Sequence, residues 1–129
     1  MPAAKIRIYR EDDGRAPFLD WLQEIERRNR KVYKKYRSYV RRLAEQGHEL
    51  RRPTADLLRD GVYKLRFNML GVNYLVLYGF VGKDLVMISH GITKKGKVPP
   101  AEIDKAAERL TKYKSNPERY GMKEADGDG

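Results

Sequence analysis

The chain has 129 residues, with 28 Lys and Arg against 18 Asp and Glu and a formal net charge of +10. That length suits one modest core, and the charge favours nucleic acid, a ribosome or an acidic protein as partner. With no cysteine, disulfides, thiolate metal sites, iron–sulfur clusters and cysteine nucleophiles are excluded. The N-terminus MPAAKIRIYR lacks an apolar signal core, and the run Tyr74 to Val81 falls far short of the ~20 residues of a spanning helix. A cytoplasmic protein with no membrane contact is the expectation.

KIRIY alternates apolar and basic residues through Ile6 and Ile8, predicting a first strand that ends at Glu11. After the turn-like EDDG, Pro17 suits a first helical turn, and Phe18, Leu22 and Ile25 recur at helical spacing, with Leu19 and Trp21 widening the stripe. Asp13 or Gly14 is the expected cap. Val32, Tyr36, Tyr39, Val40 and Leu43 make a second stripe that stops at Gly47, so two helices form a hairpin. The polar stretch from Gly47 to Asp60, interrupted by Pro53, is read as a connector ending in a DG turn.

From Val62 the period becomes two. Tyr63, Leu65 and Phe67 point one way, and Val62, Lys64 and Arg66 the other. Tyr74, Val76, Tyr78 and Phe80 share a face of the next strand, and GKD leads to LVMISHGI, the third strand of a meander. After Pro99 and Pro100, a terminal helix carries Ile103, Ala106, Ala107, Leu110 and Tyr113. Residues 1–114 are therefore expected to form one α+β domain, and residues 115–129 an aperiodic, flexible tail.

Two histidines, His48 and His90, have no carboxylate pair at ligand spacing, so neither a metal site nor a cofactor is expected. Phosphate-binding glycine loops and serine nucleophile motifs are absent. What remains is phosphate chemistry run by fixed cations. RNA suits it because the 2′-hydroxyl is a built-in nucleophile, needing proton transfer and cations over the developing charge. Lys64 and Arg66 share a strand face, and Lys94, Lys95 and Lys97 follow the third strand, so the two groups are candidates to converge on one groove. A solvated outer face fits the same spacing. His90 is a candidate general acid, or a histidine bonded at a strand end. Tyr74 and Tyr78 are candidates to stack on bases, with core packing as the alternative. Arg51, Arg52 and Arg59 would extend a phosphate-positioning surface.

The succession FLDWLQEI, LAEQGHELRRPTADLLRDGVYKLRF and NYLVLYGFVGKDLVMISHGITKKGKVPPAEIDKA resembles the RelE/HigB-type toxins of bacterial toxin–antitoxin systems, in particular their phage-derived HigB-like branch. The resemblance runs from about Lys5 to Tyr113. It implies a RelE-like α+β fold: an N-terminal strand, a helical hairpin, an antiparallel sheet meander and a C-terminal helix. It also implies metal-independent cleavage of mRNA by 2′-hydroxyl attack, usually on the ribosome. The implied antitoxin is a helix-turn-helix protein through which operator DNA is reached. Carried onto this chain, Lys64, Arg66, His90, Lys94 and Lys95 are the catalytic candidates, and Arg59, Tyr74 and Lys97 the RNA-binding ones. One departure stands out: where family members commonly carry an arginine in Tyr-Arg-Val-Leu-Tyr, this chain has Leu75. Arg66 or Lys95 would then have to supply the charge, or the protein would be a catalytically weak homologue that binds RNA, ribosome or antitoxin. Leu75 beside Leu77 is in that case a candidate partner contact.

Overall fold

The computed structural model describes residues 3–94 and 97–123. In chain order its elements are β1 (Lys5–Tyr9), α1 (Pro17–Arg28), α2 (Arg30–Gln46), a 3₁₀ turn (Gly47–Glu49), β2 (Ala55–Arg59), β3 (Val62–Met69), β4 (Val72–Val81), β5 (Leu85–Lys94), α3 (Pro100–Ser115), α4 (Pro117–Tyr120) and β6 (Gly121–Lys123). The fold is α+β, with a six-stranded mixed sheet in the order β2-β3-β4-β5-β1-β6. The antiparallel meander continues into a parallel β5–β1 pair, because the N-terminal strand lies beside the last strand of the meander.

The helical hairpin follows from its apolar stripes. Phe18, Leu22 and Ile25 of α1 and Val32, Tyr36, Val40 and Leu43 of α2 are buried. They pack on Ile6, Ile8, Leu65, Phe67, Val76, Tyr78, Val86 and Ile88 of the sheet. Asn29 makes the corner: its backbone is extended, which ends α1, and its side chain accepts from the Lys31 N–H to cap α2. Asp13 does not cap α1; its carboxylate accepts instead from the backbone N–H and Nε of Arg15.

The other face of the sheet is covered by α3. Leu110 and Tyr113 meet Tyr9 and Met87, while Ile103 and Ala106 meet Val62 and Leu77. Two-residue turns set the register of the meander. Asp60 and Gly61, and then Leu70 and Gly71, all have positive φ, as tight hairpin turns with right-handed strand twist require.

Three features differ from the sequence expectation. The connector before Asp60 contains β2, an edge strand paired with β3. From Ser115 onward the aperiodic reading does not hold as far as Lys123: Asn116 caps α4, and β6 pairs antiparallel with β1. The first strand ends at Tyr9 rather than Glu11.

Candidate functional site

A break in strand alternation builds the α3-facing side of β5. Leu77 pairs with His90, but Tyr78 pairs with Ile88, so Ser89 is an extra residue in the ladder. Ile88 packs with the helical hairpin and Gly91 meets the Trp21 ring on that same side. Between them the bulge turns both Ser89 and His90 toward α3, where they bond to each other, to Arg109 and to Glu102.

Across the sheet this side carries two rows. One runs Asp56, Lys64, Leu77, His90; the other runs Arg66, Leu75, Ile92. At ~4.8 Å between strands, Lys64 and His90 are roughly 10 Å apart with Leu77 between them. Arg66 is exposed and Lys64 half-buried. Among the described residues neither side chain has a hydrogen bond or ion pair, although Asp56, which holds Arg52 at 3.7 Å, stands opposite Lys64.

His90 has both ring nitrogens engaged. Nε2 lies 2.8 Å from Glu102 Oε1, and Nδ1 lies 2.7 Å from Ser89 Oγ. Arg109 Nη1 reaches Ser89 Oγ at 3.4 Å, and its Nη2 reaches Glu11 Oε2 at 3.1 Å. One assignment satisfies the chain: Arg109 donates to Ser89, Ser89 to Nδ1, and Nε2–H to Glu102. Burial pushes the His90 imidazole below its ordinary pKa, against the opposing effect of its hydrogen bond to Glu102. A neutral ring tied at both nitrogens orients its neighbours; it has no nitrogen left for a substrate in this arrangement.

The remaining candidates disperse. Arg59 binds Asp60, Asp104 and the Pro100 carbonyl, clamping the β2 end to α3. Tyr74 is on the opposite side of the sheet, stacked on Phe67, where it lines a cleft of about 310 Å³ with Trp21, Ile25, Arg28, Asn29 and Thr93. Tyr78 is in the core at 2% exposure. Arg51, Arg52 and Lys97 are exposed. Lys94 closes the β5 ladder opposite Asn73; its side chain and the whole of Lys95 lie outside the described residues. Leu75 and Leu77 offer no partner surface, being 3% and 0% exposed.

Glu102, Ser89 and Arg109 escaped the sequence reading. An acidic residue in the first turn after a double proline is an ordinary helix-start signal, and nothing in its spacing pairs it with a histidine twelve residues earlier. The bulge likewise defeats a strict period of two. Among the described residues there is no group of three His, Cys, Asp or Glu able to hold a metal ion, and no helix is long and apolar enough to cross a membrane.

No curated protein matches the chain. A family model described as Phage derived protein Gp49-like (DUF891) matches residues 20–111. That stretch takes in most of α1, all of α2, β2 to β5 with Lys64, Arg66 and His90, and most of α3. The chain therefore belongs to the phage-derived Gp49-like family, a family of RelE-toxin-like proteins.

Proposed function

We propose that the protein is the toxin of a toxin–antitoxin pair, an endoribonuclease that cleaves mRNA on the ribosome by 2′-hydroxyl attack without a metal ion. One observation carries the reading: Lys64 and Arg66 stand side by side on the α3-facing side of β3 with no partner among the described residues. Most other cations near that surface, Arg52, Arg59 and Arg109, are tied to carboxylates. Cations kept without a counter-ion are ready for an incoming phosphate. Arg66, exposed at the open part of the surface, suits the charge that develops on the phosphoryl oxygens. Lys64, half-buried beside the apolar Leu77, suits proton transfer at the 2′-hydroxyl. His90 contributes by fixing α3 against β5 through Glu102.

A helix-turn-helix antitoxin that covers this basic surface and brings the pair to its operator completes the proposal; the family supports a toxin-like role and thus an antitoxin. A second reading, a non-cleaving homologue that binds RNA, ribosome or antitoxin, is favoured by Leu75. At 3% exposure it fills space where a groove arginine would stand.

Cleavage of a defined mRNA in a translating extract separates the two. Wild-type protein should give discrete cuts that disappear when translation is blocked, and Arg66→Ala should slow them by about 10²–10³. Ribosome or RNA binding with no cuts would sink the nuclease and leave the binding module.

A further inference from the structure

Helix α2 carries a row of exposed cations that have no ion pair among the described residues. Its exposed positions are Arg30, Lys31, Lys34, Arg41 and Arg42, interrupted by Ser38 and followed by Glu45 and Gln46. Elsewhere ion pairs are common: Glu24 holds Arg27 and Arg28 on the neighbouring α1, and Arg15, Arg52, Arg59, Arg109 and Arg119 each have a carboxylate. Those five exposed α2 residues have no ion pair among the described residues. Arg30 and Lys34 are also like charges one helical turn apart. Arg30 and Lys31 sit at the positive end of the helix dipole, with no acidic residue in that first turn. Local stability would select against each of these placements, so their joint presence asks for a negative partner outside the chain.

We propose that the outer face of α2 is a second nucleic-acid surface, binding the phosphate backbone of double-helical RNA independently of sequence. α2 packs on the side of the sheet opposite Lys64 and Arg66, so the RNA held there is a different segment from the one at the proposed cleavage surface. From Arg30 to Arg42 the stripe is roughly 18 Å long at about 1.5 Å per residue, enough to follow several phosphates along one strand. The helix lies against the sheet with Val32, Tyr36, Val40 and Leu43 buried; it does not project as a groove-reading helix must. Its exposed face has no asparagine and a single glutamine, at its C-terminal end, so it positions without reading bases. Arg42 is held over the Tyr39 ring at 4.6 Å, which keeps a guanidinium presented outward. The choice of RNA over DNA rests on the nuclease reading above; the phosphate surface itself does not.

The test is binding of the full chain to a short blunt RNA duplex, followed by fluorescence anisotropy across a salt series. The triple variant Lys31→Gln, Lys34→Gln, Arg41→Gln should bind more weakly and flatten the slope of log affinity against log salt by about 2–3, near 0.9 for each phosphate no longer neutralised. The charge-preserving variant Lys31→Arg, Lys34→Arg, Arg41→Lys should keep the wild-type slope. Thermal melts should show all three proteins folded, since glutamine relieves repulsion without opening the core. Unchanged affinity and slope in the triple variant would overturn the proposal. So would no duplex binding by wild type, tighter binding to the same duplex made of DNA, or displacement of RNA by polyglutamate at equal charge, which would indicate an acidic protein partner. If wild type cuts no mRNA while the triple variant still loses the duplex, the nuclease reading fails and the α2 surface stands.

Discussion

His90 Nε2 is 2.8 Å from Glu102 Oε1, a bond that fastens the first turn of α3 to β5. Burial holds the imidazole below its ordinary pKa, so the folded protein keeps it neutral while an unfolded chain protonates it near pH 6.5. The unfolded state then binds more protons, and stability is lost as pH falls from about 6.5 toward the lowered folded value. Urea titrations at stepped pH should show this loss in the wild type. His90→Gln should lose that part of the slope; equal slopes in the two proteins would contradict a buried neutral His90.

The glycine after that histidine has a separate cause. A Cβ at Gly91 would collide with Trp21 Cε3, and the indole is anchored by its N–H to Thr93 Oγ1 at 3.1 Å. Gly91→Ala should cost about 1–3 kcal/mol by displacing the ring. In Trp21→Ala the same substitution should cost much less, a coupling that a double-mutant cycle in urea reads directly. Trp21 is the one tryptophan, so its fluorescence reports the displacement in the single variant.

Leu75 faces the side where a groove residue would stand, yet it is 3% exposed. Truncation to alanine should therefore cost about 2–5 kcal/mol, as for other buried leucines. Leu57, at 53% exposure, should lose less than about 1 kcal/mol on the same change. Similar losses at the two positions would mean that Leu75 is not packed as described.

The meander and the hairpin were legible because their residues alternate or recur over many positions. Tyr63, Leu65, Phe67, Val76 and Tyr78 all reach the core side that their period assigned. The missed pieces lack such runs. β2 has five residues, with Leu57 exposed and a register shift before Arg59; β6 has three and exists by pairing with β1. The parallel β1–β5 pair joins residues about 80 apart, and no local pattern encodes it. For the site, the placement of Lys64 and Arg66 on one face was readable from their spacing. The Ser89 bulge, the Glu102 partner and the clamp on Arg59 depend on α3 docking, which spacing cannot supply.

Leu70 occupies the first central position of the β3–β4 turn with φ +52 and 89% exposure. A leucine side chain is strained at positive φ and gains nothing from packing there, whereas asparagine followed by glycine is the preferred pair for this turn. Leu70→Asn should raise stability by about 0.5–1 kcal/mol, measured as a higher urea midpoint with unchanged denaturant sensitivity. A lower midpoint would mean that Leu70 has a contact in solution.

The segment after Ser115 gives the sharpest contrast with a flexible tail. Arg10 donates to the Glu118 and Arg119 carbonyls at 2.9 and 3.3 Å, Arg119 Nε meets Asp12 Oδ1 at 2.7 Å, and Tyr120 stacks on Tyr9 at 5.9 Å between centroids. β6 also satisfies the outer edge of β1 through Ile8 and Tyr9. Deleting residues 116–129 should remove those bonds and the stacked ring together, lowering stability by on the order of 2 kcal/mol or more. It should also leave β1 as a bare edge prone to pair with other copies. Melting curves and light scattering on the deletion, with Tyr120→Ala as the milder variant, check both effects. A deletion that melts like the full chain and stays monomeric would restore the tail reading, because a strand that only leans on β1 contributes neither stability nor protection.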